Sequence, residues 1–290
     1  MKYSFSCSLL IAFASTVLLG PILNGGTILP AGFVAGIQYY NGTSTTPILS
    51  NGTPFIPVTS ASQATFSGCL ISTATQSACG AAHAAMGVLG TQSTMFDSNT
   101  SILGGAEDAN GSAFFSDILT ITGLSGGTYS LVPTVTVHGT GSWDNVALPQ
   151  TVGLGIQEFG PDGSTVIDSL FPDATQNSYS AKFVLNGISF QPGVQFNLAL
   201  SFGDAARIYA GPKATENTLV NANFLSTMLL TGLTVLDSNG QPVAGFTINS
   251  VSGTNYSSGG VVPEPATAVL LAIGMAALAF IKMRKSARQR

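Results

Sequence analysis

The sequence predicts an all-β protein: a single jelly-roll-like β-sandwich over residues 36–262, set between an N-terminal export segment and a C-terminal apolar helix. Three observations carry that expectation. Charged residues make up only 8% of the chain, while glycine fills 34 of its 290 positions, a balance in which polar strand faces are built from hydroxyls and amides. Apolar and polar residues alternate with period two in short runs, and turn-forming Gly, Pro and Asn clusters separate the runs. The roughly 225 residues between the terminal segments suffice for one such domain.

The elements follow in order. Residues 1–35 open with Met1-Lys2 and an apolar run from Leu9 to Leu19, too short to span as a mature helix. That is the pattern of a secretory signal peptide, with cleavage expected between about Gly20 and Ala35. From Gln38 to about Ser67 the text is dense in Asn, Gly, Pro and Thr and reads as loop. Residues 78–95 hold helix-favouring alanines, but Gly87 and Gly90 interrupt them, so a strand is expected. The clearest strand text starts at Ala113. Phe115 and Ile118–Thr122 alternate, LSGG makes a tight turn, and TYSLVPTVTV returns as the second arm, with Pro133 placing it at an edge or a bulge. Further strands are expected at Thr151–Phe159, Val166–Leu170, Ala181–Phe190 and Val194–Phe202, the last two joined by the Gln191-Pro192-Gly193 turn. Residues 205–217 hold most of the interior positive charge and read as an exposed loop. Residues 222–256 read as strand, D-S-N-G turn and strand. Leu219, Ala222, Leu225 and Leu229 fall at helical spacing, but the Thr- and Gly-rich continuation needs a strand to pair with.

Cysteine and charge narrow the class. Cys7 lies in the export segment, which leaves Cys69 and Cys79. Two cysteines ten apart in an exported chain point to a disulfide. A metal site would need two more soft ligands, and the only histidines are His83 and His138. Between 36 and 262 the basic residues are Lys182, Arg207 and Lys213 against twelve acids, about −9 in all. Such a stretch has no electrostatic footprint for DNA or RNA.

The last thirty residues, VVPEPATAVLLAIGMAALAFIKMRKSARQR, fall into three parts. Pro263-Glu264-Pro265 comes first, and both prolines disfavour helix, so this peptide is extended. The apolar run Ala266–Ile281 follows, without a charge. As a helix it covers roughly 24 Å, a membrane span if Lys282 and Arg284 snorkel. Lys282, Arg284, Lys285, Arg288 and Arg290 end the chain, and that positive charge stays cytoplasmic, leaving everything before Pro263 on the far side. Together these parts resemble the PEP-CTERM sorting signal of exopolysaccharide-producing Gram-negative bacteria. The resemblance implies that Pro263, Glu264 and Pro265 form the processing motif for an exosortase, a membrane-embedded cysteine transpeptidase, and that the residues beyond are a temporary anchor. Residues 222–256 also resemble the tract before such signals, through Phe224, Thr227, Leu233, Val235, Asp237, Gly240, Val243, Phe246, Ser252, Gly253 and Tyr256. The block at 113–137 resembles these proteins more loosely. The resemblance implies a jelly-roll-like sandwich and no shared activity.

Four groups of residues are candidates for chemistry. Gly123-Leu124-Ser125-Gly126-Gly127 satisfies the G-x-S-x-G pattern of a hydrolase nucleophile elbow, but its flanks read as strand on both sides and the only later histidine is His138. Glu158, Asp162, Asp168, Asp173 and Glu216 could supply the two carboxylates of a glycosidase, although no spacing singles out a pair and a turn role accounts for Asp162 and Asp237. Asp97, Glu107, Asp108 and Asp117 fall in a region read as loop, where a structural calcium would find oxygen ligands. Trp143, beside His138, Asp144 and Asn145, has the make-up of a sugar platform, and equally that of a side chain covering an open end of the sandwich. The N-x-S/T sequons at Asn41, Asn51, Asn99, Asn110 and Asn255 are what so Asn-, Ser- and Thr-rich a chain yields by chance. The function expected is that of an exported surface or extracellular-matrix protein, transiently anchored in the inner membrane, associated with exopolysaccharide and non-catalytic. The alternatives are a carbohydrate-binding module that uses Trp143 and a polysaccharide-acting enzyme.

Overall fold

A period of two along each strand sends alternate side chains to opposite faces, and here one of those faces is consistently apolar. The computed structural model describes residues 30–41, 49–59, 61–98, 106–143, 150–159, 165–170, 178–209, 218–257 and 260–261. Among them there is no helix. Strands β1 (Gly32–Asn41), β2 (Leu49–Gly52) and β3 (Ile56–Pro57) open the first sheet, with β2 and β3 on the same side of β1. Strands β4 (Gln63–Ser72), β5 (Gln76–Ala85) and β6 (Val88–Asp97) form a meander in the second.

From there the chain passes back and forth between sheets. Strand β7 (Ala106–Thr122) lies in the first and β8 (Tyr129–Trp143) in the second; β9 (Gln150–Phe159) and β10 (Thr165–Leu170) return to the first. Strands β11 (Ser178–Val184) and β12 (Ile188–Phe190) join the second, β13 (Gln195–Tyr209) the first, β14 (Thr218–Leu236) the second, and β15 (Thr247–Ser250) the first. The strand orders are β10-β9-β13-β7-β1-β2, with β15 on β7 and β3 on β1, and β11-β8-β14-β6-β5-β4, with β12 on β8. All of these pairings are antiparallel. The sheets pack face to face as a β-sandwich around one core. Phe33, Phe115, Leu198, Leu200 and Phe202 enter it from one side, Leu89, Met95, Val135, Phe224 and Leu230 from the other. Phe202 and Phe224 meet edge to face across it with centroids 6.3 Å apart.

Several expectations change. The stretch from Gln38 to Ser67 is not loop throughout: it holds the end of β1, then β2, β3 and the start of β4. Strand β1 even begins inside the stretch read as export segment. Residues 78–95 are two strands, joined at Met86 and at Gly87 with φ 73°. The LSGG turn does not close a hairpin, because β7 and β8 belong to different sheets. The Gln191-Pro192-Gly193 turn likewise carries the chain from β12 across to β13. Of the two places expected for Pro133, the bulge holds and the edge does not: it pairs with Leu233 next to a register shift in β14, and on its other flank its carbonyl accepts from the Leu185 N–H at 2.9 Å. Residues 205–209 belong to β13, and Arg207 is buried rather than exposed. Residues 218–236 are strand, as the Thr- and Gly-rich text required, and Asp237 Oδ1 accepts from the Asn239 and Gln241 N–H groups at 2.8 Å each in the turn that follows. The second arm then leaves for the first sheet, as β15 on β7.

Cys69 and Cys79 form the expected disulfide, directly opposite each other in the β4–β5 ladder with Cα atoms 4.0 Å apart. Changing both cysteines to serine is expected to lower the unfolding free energy by about 2–3 kcal/mol, the loop-closure value for so short a ring. Denaturant titration of the oxidised protein and the double variant measures it.

Candidate functional site

Strand β7 is central to the first sheet, flanked over its length by β13 on one side and by β1 and β15 on the other. Its odd-numbered residues, among them Ala109, Ala113, Phe115 and Leu119, enter the core. Its even-numbered residues from Asp108 to Ser116 point the other way and are buried too. No described strand supplies a layer over that outer face, and its composition differs from the core's.

Register aligns the outer face in rows. One row runs Gly52, Gly36, Ser112, Gly203, Gly155, Ser169 across β2, β1, β7, β13, β9 and β10. Close approach requires glycine at its β1–β2 crossing: a Cβ on Gly36 would lie 2.8 Å from the Asn51 carbonyl oxygen, and one on Gly52 2.7 Å from that of Ala35. The next row holds Gln38, Asn110 and Ala205, and the one beyond it Tyr40, Asp108 and Arg207. On the opposite side lie Val34, Phe114 and Ser201. The central row is therefore built of small residues and is buried, with amides and an ion pair along one side and Val34 and Phe114 along the other.

The polar side is ordered by its own contacts. Arg207 clasps Asp108 with two parallel hydrogen bonds, from Nε to Oδ1 and from Nη2 to Oδ2, the latter 2.6 Å. Burial pushes the Asp108 carboxyl above its ordinary pKa, and the Arg207 contacts oppose that push. The Tyr40 hydroxyl donates to Gln38 Oε1 at 2.9 Å, and burial, reinforced by the Asp108 charge, raises the phenol. Asn110 Oδ1 and Ser112 Oγ have no partner, although the two residues are only 5% and 7% exposed.

Two further polar groups lie on the inner side. Asp204, paired with Gly111, is buried in the core, where its Oδ1 accepts from the Gly111 N–H at 3.1 Å and its Oδ2 lacks a partner. Burial pushes its carboxyl up to about 8. Asp117 holds the segment after β15: its carboxylate accepts from the Ser252 N–H at 3.1 Å, from the Ser252 hydroxyl, and from the Tyr256 hydroxyl at 2.9 Å.

The four acids considered for calcium do not converge. They stand on strands rather than in a loop. Glu107 accepts from Gln76 Nε2 at 2.7 Å with Asp97 in electrostatic range, while Asp108 faces the other side of the sheet and Asp117 ties down Ser252 and Tyr256. No group of three or more His, Cys, Asp or Glu with metal-binding geometry exists among the described residues. Ser125 Oγ lies 3.1 Å from the Tyr129 hydroxyl in an exposed loop, whereas His138 stands exposed on β8, in register with Ser180. His83 shares a 3.0 Å hydrogen bond with Gln63 Oε1, and burial lowers its pKa. Trp143 ends β8 with its backbone paired to Val220. Asp144, Asn145, Asp162, Asp173, Glu216, Pro263, Glu264, Pro265 and the basic tail lie outside the described residues, as do the side chains of Trp143, Glu158 and Asp168. The reading by sequence missed Gln38, Tyr40, Asn110, Ser112, Asp204 and the pairing of Arg207.

No family model matches the chain, and no curated protein does. Among solved structures it is similar to the infectious bursal disease virus VP2 subviral particle, at 10% identity over 86% of this chain and 72% of that one, with a TM-score of 0.16. It is similar also to the Gx strain of that virus, at 14% identity over 86% and 70%, with a TM-score of 0.14. Likenesses this loose carry no argument.

The interior carboxyl makes stability depend on pH. Below about pH 4 Asp204 holds its proton whether folded or unfolded. As pH rises from there the unfolded chain loses the proton while the fold retains it to about 8, so stability falls across that window, by up to about 1.4 kcal/mol per pH unit, and then levels. Asp204→Asn, which cannot ionise, is expected to flatten the slope; urea titrations from pH 4 to 9 on parent and variant measure it.

Proposed function

We propose that this chain is an exported, non-catalytic protein of the cell surface or extracellular matrix, handed to an exosortase and associated with exopolysaccharide. The observation that carries the reading is the order of parts at the end of the sequence: Pro263-Glu264-Pro265, the uncharged run Ala266–Ile281, then five basic residues. A helix with that tail is not drawn outward cheaply, since each Lys or Arg costs about 2.5–3.5 kcal/mol at the helix centre even on the insertion scale. Release to the surface therefore needs a cut on the outer side, where the two prolines keep the peptide extended. Glu264 offers the processing enzyme a negative handle in an otherwise neutral stretch.

The fold is compatible at both ends. Its last described pairing joins Tyr256 and Ser257 to Gly260 and Val261, so the processing motif begins two residues past the last described one. At the other end β1 starts at Gly32 and supplies ten paired positions to β7. A signal peptidase cut that leaves this strand whole falls between about Gly20 and Ala31. The low charge and the cross-strand disulfide suit an oxidising, extracytoplasmic setting. We read the two-sheet arrangement as jelly-roll in type.

Surface-fraction protein is expected to begin before Gly32, to end near Pro263 and to lack the basic tail. Intact-mass and terminal-peptide analysis in strains with and without the exosortase tests this. Full-length chain reaching Arg290 at the surface of both strains would make the tail a plain anchor and sink the reading.

A further inference from the structure

Charge is spread unevenly over the sandwich. Between Lys2 and Asp97 the sequence holds no charged residue, and strands β1 to β6 come from that stretch, with Asp97 as their last position. The strand orders set β1, β2 and β3 at one margin of the first sheet and β4, β5 and β6 at one margin of the second. These margins coincide, because β1 packs against β4 and β5. One flank of the sandwich is therefore neutral, while the twelve acids of residues 36–262 all lie at Asp97 or beyond. We infer that β4, at this flank, is a pairing edge for a second copy of the chain, joined by antiparallel addition of β4 to its counterpart about a two-fold axis. The inference stands apart from the sorting reading.

An edge strand leaves a row of N–H and C=O groups open to pairing, and sheets guard against this with short strands, proline or charge. The other edges of the two sheets are guarded. Strands β2, β3, β12 and β15 are only two to four residues long. Strand β10 has six residues and includes Asp168, and β11 carries exposed Lys182 in mid-strand. Strand β4 has ten residues, with no charge and no proline among them, and its one irregularity falls late, between Cys69 and Ile71. Among the described residues β5 is its only strand partner. Gln63, Thr65, Ser67, Gly68 and Cys69 are exposed.

The disulfide shows which backbone groups are free. Cys69 and Cys79 stand opposite each other with Cα atoms 4.0 Å apart. That is near the spacing of a non-hydrogen-bonded antiparallel pair, and well short of the roughly 5.5 Å of a bonded one. Cys69 thus turns its N–H and C=O away from β5, and by the period of two so do Ser67, Thr65 and Gln63. A two-fold axis at Phe66 sets Gln63 opposite the second copy's Cys69, and Thr65 opposite its Ser67, so all four open positions are bonded at once. Phe66, half-buried and packed against the core, then meets its own equivalent. Charge selects this occupant: two copies that each carry about −9 over residues 36–262 repel elsewhere and meet without like-charge contact along the neutral flank. Because the remaining edges are guarded, the assembly closes at two copies.

The test is sedimentation velocity of the purified surface-fraction protein over a wide range of concentration, alongside thermal melts of dilute samples. The parent is expected to form a dimer that dissociates on dilution. Thr65→Pro removes one outward N–H without breaking a bond to β5, and Ser67→Lys places a charge on the edge. Each is expected to raise the dissociation constant at least tenfold, with the melting temperature of the dilute protein little changed. Val184→Lys, at an exposed position on the opposite margin, should leave the dimer as it is. Should Thr65→Pro fail to fold, Ser67→Lys keeps the result readable. A parent that stays monomeric, parent-like association by a folded edge variant, loss of the dimer in Val184→Lys, or oligomers that keep growing with concentration would each overturn the assignment. Should the surface protein prove to run to Arg290, the sorting reading fails by itself, and the ratio of Ser67→Lys to parent dissociation constants still decides the edge.

Discussion

Strand β7 is closed in on four sides: β1 and β13 in its own sheet, the core beneath, and a buried outer face above. A backbone so enclosed finds no water, so its N–H and C=O groups depend on unbroken pairing with its neighbours. That requirement fixes the register of the first sheet, because a slip of one residue would exchange the core set for the outer set. Phe115 and Leu119 would then leave the interior, and Asp108 would be thrust into it. The two kinds of residue on β7 hold the sheet in place from opposite directions.

The same enclosure explains why some of this was visible in the sequence and some was not. The alternation from Ala113 to Thr122 is legible because inward Phe115, Leu119 and Ile121 are each followed by a serine or threonine. The strand Gly32–Asn41 was not, since Phe33-Val34-Ala35-Gly36-Ile37 shows no alternation when both faces are buried, and the apolar run Leu9–Leu19 stands close before it. The breaks at Leu124–Gly127 and Gln191–Gly193 are legible, the second as a turn, but such residues say nothing about which sheet the chain enters next. The disulfide was legible from count and spacing alone. The outer row was not: its glycines are scattered over more than a hundred residues of sequence and become neighbours only through register. Arg207 looked like a loop cation because its partner Asp108 stands 99 residues earlier.

Charge inside the sandwich is handled in three ways. Asp108 is matched by a cation, and losing either partner would strand the other without water. Asp117 is surrounded by donors from a segment that would otherwise have little to hold it. Asp204 has the Gly111 N–H and the Ser93 and Thr91 hydroxyls beside it, and burial outweighs them, so it keeps its proton instead. The first and second fix geometry; the third leaves an acid whose protonation reports on the integrity of the core.

Strands that switch sheets at most connections after β6 leave few contacts between sequence neighbours there. The β4–β5–β6 meander can form early and locally, but β1 must wait for β7, and β7 for β13, almost a hundred residues downstream. Chains dominated by such distant pairings fold slowly. Under the export proposed above, in which the chain crosses a membrane as an extended thread, slowness is an asset. On that reading the first sheet stays open until β7 and then β13 have crossed, so the topology postpones its closure during passage.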